Sequence, residues 1–100
     1  MKIDLEKLGV IQNEEDRRFE VWIDGHLSEL DYHQDNGTFV IAHVGVHPQH
    51  RGHGVAGKLT RAALEYAKRR SLRVIPLCPY AAAYIRRNPE YNDLTGLRDN

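Results

Sequence analysis

The chain is poor in sulfur and carries no net charge. Cys78 is the single cysteine in 100 residues, so no disulfide can close within the chain and the disulfide-stapled small folds are excluded. A lone thiol fits a reducing compartment, and the cytoplasm is the expected location. Fourteen Lys and Arg balance fourteen Asp and Glu, giving a formal charge of zero. That removes the global electrostatic argument for nucleic acid or an anionic membrane as partner, and neither is expected. There is no apolar run of about eighteen residues, as a membrane span would need. No export-type apolar stretch follows Met1-Lys2-Ile3-Asp4. Internal repeats and low-complexity segments are also missing.

What is present is the composition of an ordinary soluble domain, 41% hydrophobic and 28% charged. The length suits one domain over residues 1–100, with a core over about 18–91. Residues 1–16 carry Leu5, Leu8 and Val10-Ile11, a short docking segment, and then a polar turn at Asn13-Glu14-Glu15-Asp16. From Arg18 the pattern alternates: Phe19, Val21 and Ile23 on one face, Glu20, Trp22 and Asp24 on the other. Asp24-Gly25 predicts a hairpin, because glycine accepts the positive φ of a tight primed turn. A second strand covers about His26 to His33, with Leu30 and Tyr32 on one side and Leu27, Glu29, Asp31 and His33 on the other. After a turn at Asp35-Asn36-Gly37, the nearly all-apolar stretch Thr38 to Val46 reads as the buried centre of the sheet.

Pro48 stops that strand. An amphipathic helix is expected from about Gly54 to Arg70, burying Val55, Leu59, Ala62, Ala63 and Tyr66. Leu72 to Cys78 reads as a fourth strand interrupted by Pro76, which has no N–H to give a ladder. Ala81 to Arg87 reads as a short helix closed by Asn88-Pro89, and the polar residues after Tyr91 are expected to fray. The fold class is therefore α+β, an α/β sandwich with a mostly antiparallel sheet. Its last strand should lie parallel to the third through a right-handed crossover.

The stretch HVGVHPQHRGHG, His43 to Gly54, holds four of the six histidines within twelve positions. Three readings apply. As a metal site, His43, His47, His50 and His53 would supply imidazoles, with Cys78 as a further ligand. Against this, Arg51 places a fixed positive charge in the run, and no carboxylate lies there. As a nucleotide P-loop, Gly52 to Lys58 fits G-x-x-x-x-G-K, but Leu59 stands where a hydroxyl should hold Mg²⁺. As an anion cradle, Gly52 and Gly54 let successive backbone N–H groups turn toward one anion. The helix N-terminus behind them adds free donors, and Arg51 a full charge. Glycines after a strand can also be only a turn.

Gln49-His50-Arg51-Gly52-His53-Gly54, followed by Val55-Ala56, resembles the Q/R-x-x-G-x-G/A signature of the GNAT acetyltransferase superfamily. The segment VIPLCPYAAAYIRRNPEY, Val74 to Tyr91, resembles a small single-domain branch of GNAT-like proteins. In that branch a strand end like His43 to Val46 precedes R-G-x-G, here Arg51 to Gly54. P-x-C-P-[FY] and Y-I-x-R-x-P-E-Y follow, here within Pro76 to Tyr91. The resemblance implies an acetyl-CoA cosubstrate, with no metal, in a slot between two splayed parallel strands. Backbone groups of Val44, Gly45 and Val46 would meet the pantetheine, with Gly45 at a bulge in the third strand. Gln49, His50, Arg51, Gly52, His53, Gly54, Val55 and Ala56 would form the pyrophosphate loop.

The resemblance further implies an amine acceptor, either a small molecule or a protein lysine or N-terminus. Larger relatives cover the acceptor with two helices where this chain has only the Asp24-Gly25 turn, and they often end in a strand pair that is missing here. The acceptor side is then expected to be open, or completed by a homodimer or a partner protein. For the chemistry, Tyr84 is placed to give a proton to the departing thiolate, or else simply to pack. Cys78 is placed as a nucleophile with His43 as base, or else as an inert core thiol. His43 was expected on one face with Phe39, Ile41 and Gly45. Glu29, Asp31 and His33 form a polar strip that can supply a base for the amine, or else a solvated sheet face.

Overall fold

The computed structural model describes residues 4–96. Five strands form one sheet in the order β1-β2-β3-β4-β5: β1 Ile11–Asn13, β2 Arg18–Ile23, β3 His26–Asp35, β4 Thr38–Gly45 and β5 Arg73–Pro76. Neighbours are antiparallel except β4 and β5, which run parallel on either side of the helix α1, Val55–Arg69. A second helix, α2, spans Pro79–Arg87. No helix among the described residues is long and apolar enough to cross a membrane.

The β2–β3 and β3–β4 hairpins each close on two residues of positive φ, Asp24 (50°) with Gly25 (78°) and Asn36 (47°) with Gly37 (80°). That is the twist a tight hairpin needs. One face of the sheet is core: Phe19, Val21, Leu30, Tyr32, Phe39 and Ile41 meet Leu59, Ala63 and Leu64 of α1. Tyr32 stacks on Phe39 with ring centroids 4.7 Å apart, and Phe19 meets Tyr66 edge-on at 5.8 Å. On the opposite face, the buried Glu20 carboxylate accepts from Trp22 Nε1 (3.0 Å), Asn13 Nδ2 (3.1 Å) and Arg18 Nε (2.5 Å). Burial pushes its pKa up, but these three donors outweigh burial and hold it below the usual carboxylate range.

Four details depart from the expectations above. The short β1 was read as a docking segment; it pairs with Arg18 to Glu20, and only its partner makes it a strand. The fourth strand stops at Pro76 instead of continuing to Cys78, and Ile41 O accepts from the N–H groups of Leu77 (3.1 Å) and Cys78 (3.2 Å). The second helix starts two residues earlier than expected, with Pro79 in its first turn, where its missing N–H costs nothing. Past Tyr91, where fraying is expected, the 3-10 helix Pro89–Thr95 continues, and the rest of that stretch, 97–100, lies outside the described residues. Tyr91 and Leu94, one 3-10 turn apart, both pack on the core, and Tyr91 O–H donates to Glu65 (2.7 Å).

Candidate functional site

Beyond Ile41 the parallel pair separates, since Pro76 is the last β5 residue in register. At the same point β4 gains an extra residue. Asp31 faces His43 and Tyr32 faces Ile41, which leaves Ala42 as a bulge. The bulge was expected at Gly45, which instead pairs in register with Glu29. It also overturns the expected common face of Phe39, Ile41, His43 and Gly45. Phe39 and Ile41 are fully buried, but past Ala42 the alternation inverts. Val44 then turns to the core beside Leu30, and His43 turns to the exposed face beside Asp31.

The connection from β4 to α1 is pinned from beneath. Pro48–His50 is a 3-10 turn, with His47 Nδ1 accepting from Gln49 N–H (3.1 Å). His50 is fully buried, and its Nδ1 lies 2.7 Å from Ser28 Oγ, which also accepts from His47 N–H (2.9 Å). The His47 ring stacks on His26 with centroids 4.1 Å apart. Burial, then His26, His50 and Arg51, hold the His47 pKa below its ordinary value. Gly52 and Gly54 follow at φ 80° and 81°. The first intrahelical bond of α1 runs from Lys58 N–H to Gly54 O (3.1 Å), and no side chain caps this end. The amides of the first turn therefore remain available to an anion. No acidic residue sits in that turn to compete for it.

A cleft of about 520 Å³ joins these parts. Its walls are Leu27 and Glu29 of β3, residues 43–47, Arg51, Ala56 and Tyr80 at the start of α2. It thus gathers His43, Val44, Gly45, Val46, Arg51 and Ala56 of the expected site. Gln49, Gly52, His53 and Gly54 do not line it, and Gly54 lines a second cavity instead, while His50 and Val55 are buried. Cys78 is buried in the core at the N-cap of α2 and is not on the cleft wall. Tyr84 lines a different cavity, of about 570 Å³, with Leu5, Gly57, Lys58 and Arg61; burial raises its pKa.

Sequence reasoning missed Tyr80 and Ser28. Tyr80 sits four residues before Tyr84, one helical turn closer to the strand end, and an earlier start for α2 would have shown it. Ser28 was visible as a hydroxyl at a core-face position, alternating with Leu30 and Tyr32. Glu29, part of the polar strip read as a source of a base or as a solvated face, is half-buried at the cleft. Burial, then the neighbouring Asp31, raise its pKa, although Arg18 Nη1 lies 3.5 Å away.

Among the described residues, no three His, Cys, Asp or Glu donors gather as a metal site. Of the run, His43 and His47 line the cleft, and the rings of His47 and the buried His50 lie 5.2 Å apart beside His26. Lys58 does not turn toward the loop as a P-loop lysine would; its Nζ donates to Leu5 O.

A mixed sheet whose parallel pair parts beside a glycine turn and an uncapped helix end defines a GNAT-like α+β fold. Residues 18–94 match the GCN5-related N-acetyl-transferase family, and the chain belongs to that family. It is similar to a GCN5-like candidate N-acetyltransferase from Staphylococcus aureus whose solution structure was determined by NMR. The two are 30% identical, with a TM-score of 0.70 over 87% of this chain and 86% of that one.

Proposed function

We propose that this protein transfers an acetyl group from acetyl-CoA to an amine. The observation that carries the proposal is the cleft, where the unpaired end of β4, the Arg51 side chain and the open first turn of α1 meet. The residues fit such a cosubstrate. Two left-handed glycines bring the backbone close to a pyrophosphate, with Arg51 as countercharge. Beyond Ile41, residues 44–46 have no β5 partner and can bond the pantetheine amides. The cosubstrate supplies an activated thioester; the chain supplies position and protons.

Tyr80 is the proton donor to the leaving thiolate in this reading, since it lines the cleft and Tyr84 lies outside it. Cys78, closed in the core, contributes packing instead of a nucleophile. His43 faces the acceptor side. Single-turnover transfer from radiolabelled acetyl-CoA to a panel of amines tests the proposal: labelled amide is expected, and complete silence across small amines and peptides would overturn it.

A second reading, an acyl-CoA-binding module without efficient turnover, draws on the bare outer face of the sheet. Trp22 there is 49% exposed, and the β2–β3 link is only a two-residue turn. Under that reading a second copy or a partner protein completes the acceptor side. Binding without transfer in the same experiment would favour it.

A further inference from the structure

We propose that the uncovered sheet face beside the cleft is a site for a cationic amine with no carboxylate near it, and that Glu29 holds its ammonium group and takes its proton. This deepens, and rests on, the acetyl-transfer reading above. The bulge at Ala42 turns His43 onto the same face as Asp31 and Glu29. Gly45 lies directly opposite Glu29, and a Cβ there would come within 3.0 Å of His43 Nε2. The absent side chain leaves room for the His43 ring at the end of β4, where both Gly45 and Glu29 line the cleft.

The charge of this face is unbalanced. Glu20, Glu29 and Asp31 stand there; Arg18 pairs with Glu20 and approaches Glu29, and Arg51 lines the far side of the cleft. Arg18 is committed mainly to Glu20 through Nε, and its approach to Glu29 is the looser 3.5 Å. Glu20 is already filled by three donors, so Glu29 is the carboxylate with charge to spare. Leu27 lines the cleft next to it, and the exposed Trp22 lies opposite Leu27 on β2, an aromatic wall suited to an alkylammonium. A carboxylate on the acceptor would meet like charges at Glu29 and Asp31. The raised pKa of Glu29 brings it nearer to that of a working base.

The step balances as follows. Glu29 takes one proton from the ammonium, and the freed nitrogen lone pair forms the C–N bond to the thioester carbonyl. The C–S bond breaks with its electron pair on sulfur. Tyr80 protonates that thiolate and recovers its proton from the nitrogen through water. Glu29 then releases its proton to solvent.

The test compares wild type with Glu29→Gln and Glu29→Asp. Rates are followed from pH 5 to 9 on propane-1,3-diamine, a capped lysine tripeptide and glutamate, and acetyl-CoA affinity is followed by calorimetry. The groups facing Glu29 that also shape the pH profile are Arg18 and Glu20 from β2, Asp31 from β3, His43 from β4, and Arg51 and Tyr80 across the cleft. Glu29→Gln is expected to lower kcat/KM about a hundredfold on the cationic acceptors and to abolish the acid limb of the profile. Its acetyl-CoA affinity should stay within about twofold of wild type, and Glu29→Asp should recover part of the rate. Preference for the diamine identifies a small-molecule acceptor, and preference for the tripeptide a protein lysine. An unchanged rate and acid limb in Glu29→Gln, or glutamate acetylated as fast as the diamine, overturns the proposal. Wild type that binds acetyl-CoA but acetylates neither cationic acceptor overturns it too. Wild type that fails to bind acetyl-CoA removes the underlying reading and this proposal together.

Discussion

His50 Nδ1 and Ser28 Oγ lie 2.7 Å apart in the fully buried interior, twenty-two residues apart in sequence. The pair fastens the turn before the glycines to the middle of the sheet, because the same Oγ accepts from His47 N–H. This is the structural work of the histidine-rich stretch: His50 is a post beneath the loop.

Ser28→Ala leaves His50 Nδ1 and the His47 N–H without that partner. The expected cost is about 1–3 kcal/mol of stability, read from urea unfolding with an unchanged slope. A loss within about 0.5 kcal/mol would mean that the pair is incidental to the fold.

Gly54→Val tests the cradle. Gly54 sits at φ 81°, and a Cβ there would lie 3.1 Å from Leu5 Cδ2. A branched side chain is therefore strained and also blocks the backbone's approach to phosphate. The proposal predicts at least a tenfold loss of acetyl-CoA affinity, about 1.4 kcal/mol, by calorimetry on protein shown folded by circular dichroism. Undiminished affinity in a folded variant would refute the cradle.

The two tyrosines of α2 are separated by the same experiment on each. Tyr80→Phe should lower kcat by about a hundredfold with little change in acetyl-CoA affinity. Tyr84→Phe should keep kcat within about twofold of wild type, because its ring is in the other cavity. The reverse order would return the acid role to Tyr84.

Glu29 carries a stability signature as well as a catalytic one. Its pKa is raised in the folded state, by burial first and Asp31 second. The sign follows: this group's contribution is intact below the unfolded carboxylate value and is lost as pH rises through the raised folded value. Glu29→Gln removes that loss, so its melting temperature relative to wild type should climb between pH 4 and 7. A flat difference across that range would contradict the assignment.

Tyr91 gives an alkaline counterpart. Burial, with the hydrogen bond to Glu65, has its pKa pushed up to about 12. The unfolded phenol ionises near 10, so wild type should lose stability from pH 10 toward 12, by at most about 2–3 kcal/mol. Tyr91→Phe should be less stable at pH 8 but should lose less between pH 9 and 11.

The hairpins were legible because Asp24-Gly25 and Asn36-Gly37 announce a backbone that few other residues adopt. The glycine turn between β4 and α1 was legible for the same reason. Pro76 marked an interruption through its missing N–H, but not the end of β5: the pattern reads on to Cys78, and the strand stops at Pro76. The bulge at Ala42 was not legible: alanine carries no signature, and the extra residue is set by how β3 pairs with β4. Its consequence is large, since it decides which face His43 occupies. Three-residue β1 has too little pattern of its own to show alternation. The choice between Tyr80 and Tyr84 depends on where α1 passes: a Cβ on Gly57 would lie 3.5 Å from Tyr80 Oη and 3.7 Å from Tyr84 Cε2, so both rings pack against that residue. Such contacts are tertiary and have no local trace.

The most direct measurement is calorimetric titration of EDTA-treated protein with acetyl-CoA. The account predicts saturable one-to-one binding without metal. No heat of binding at millimolar ligand would contradict it, and the glycine turn between β4 and α1 would then be a turn and nothing more.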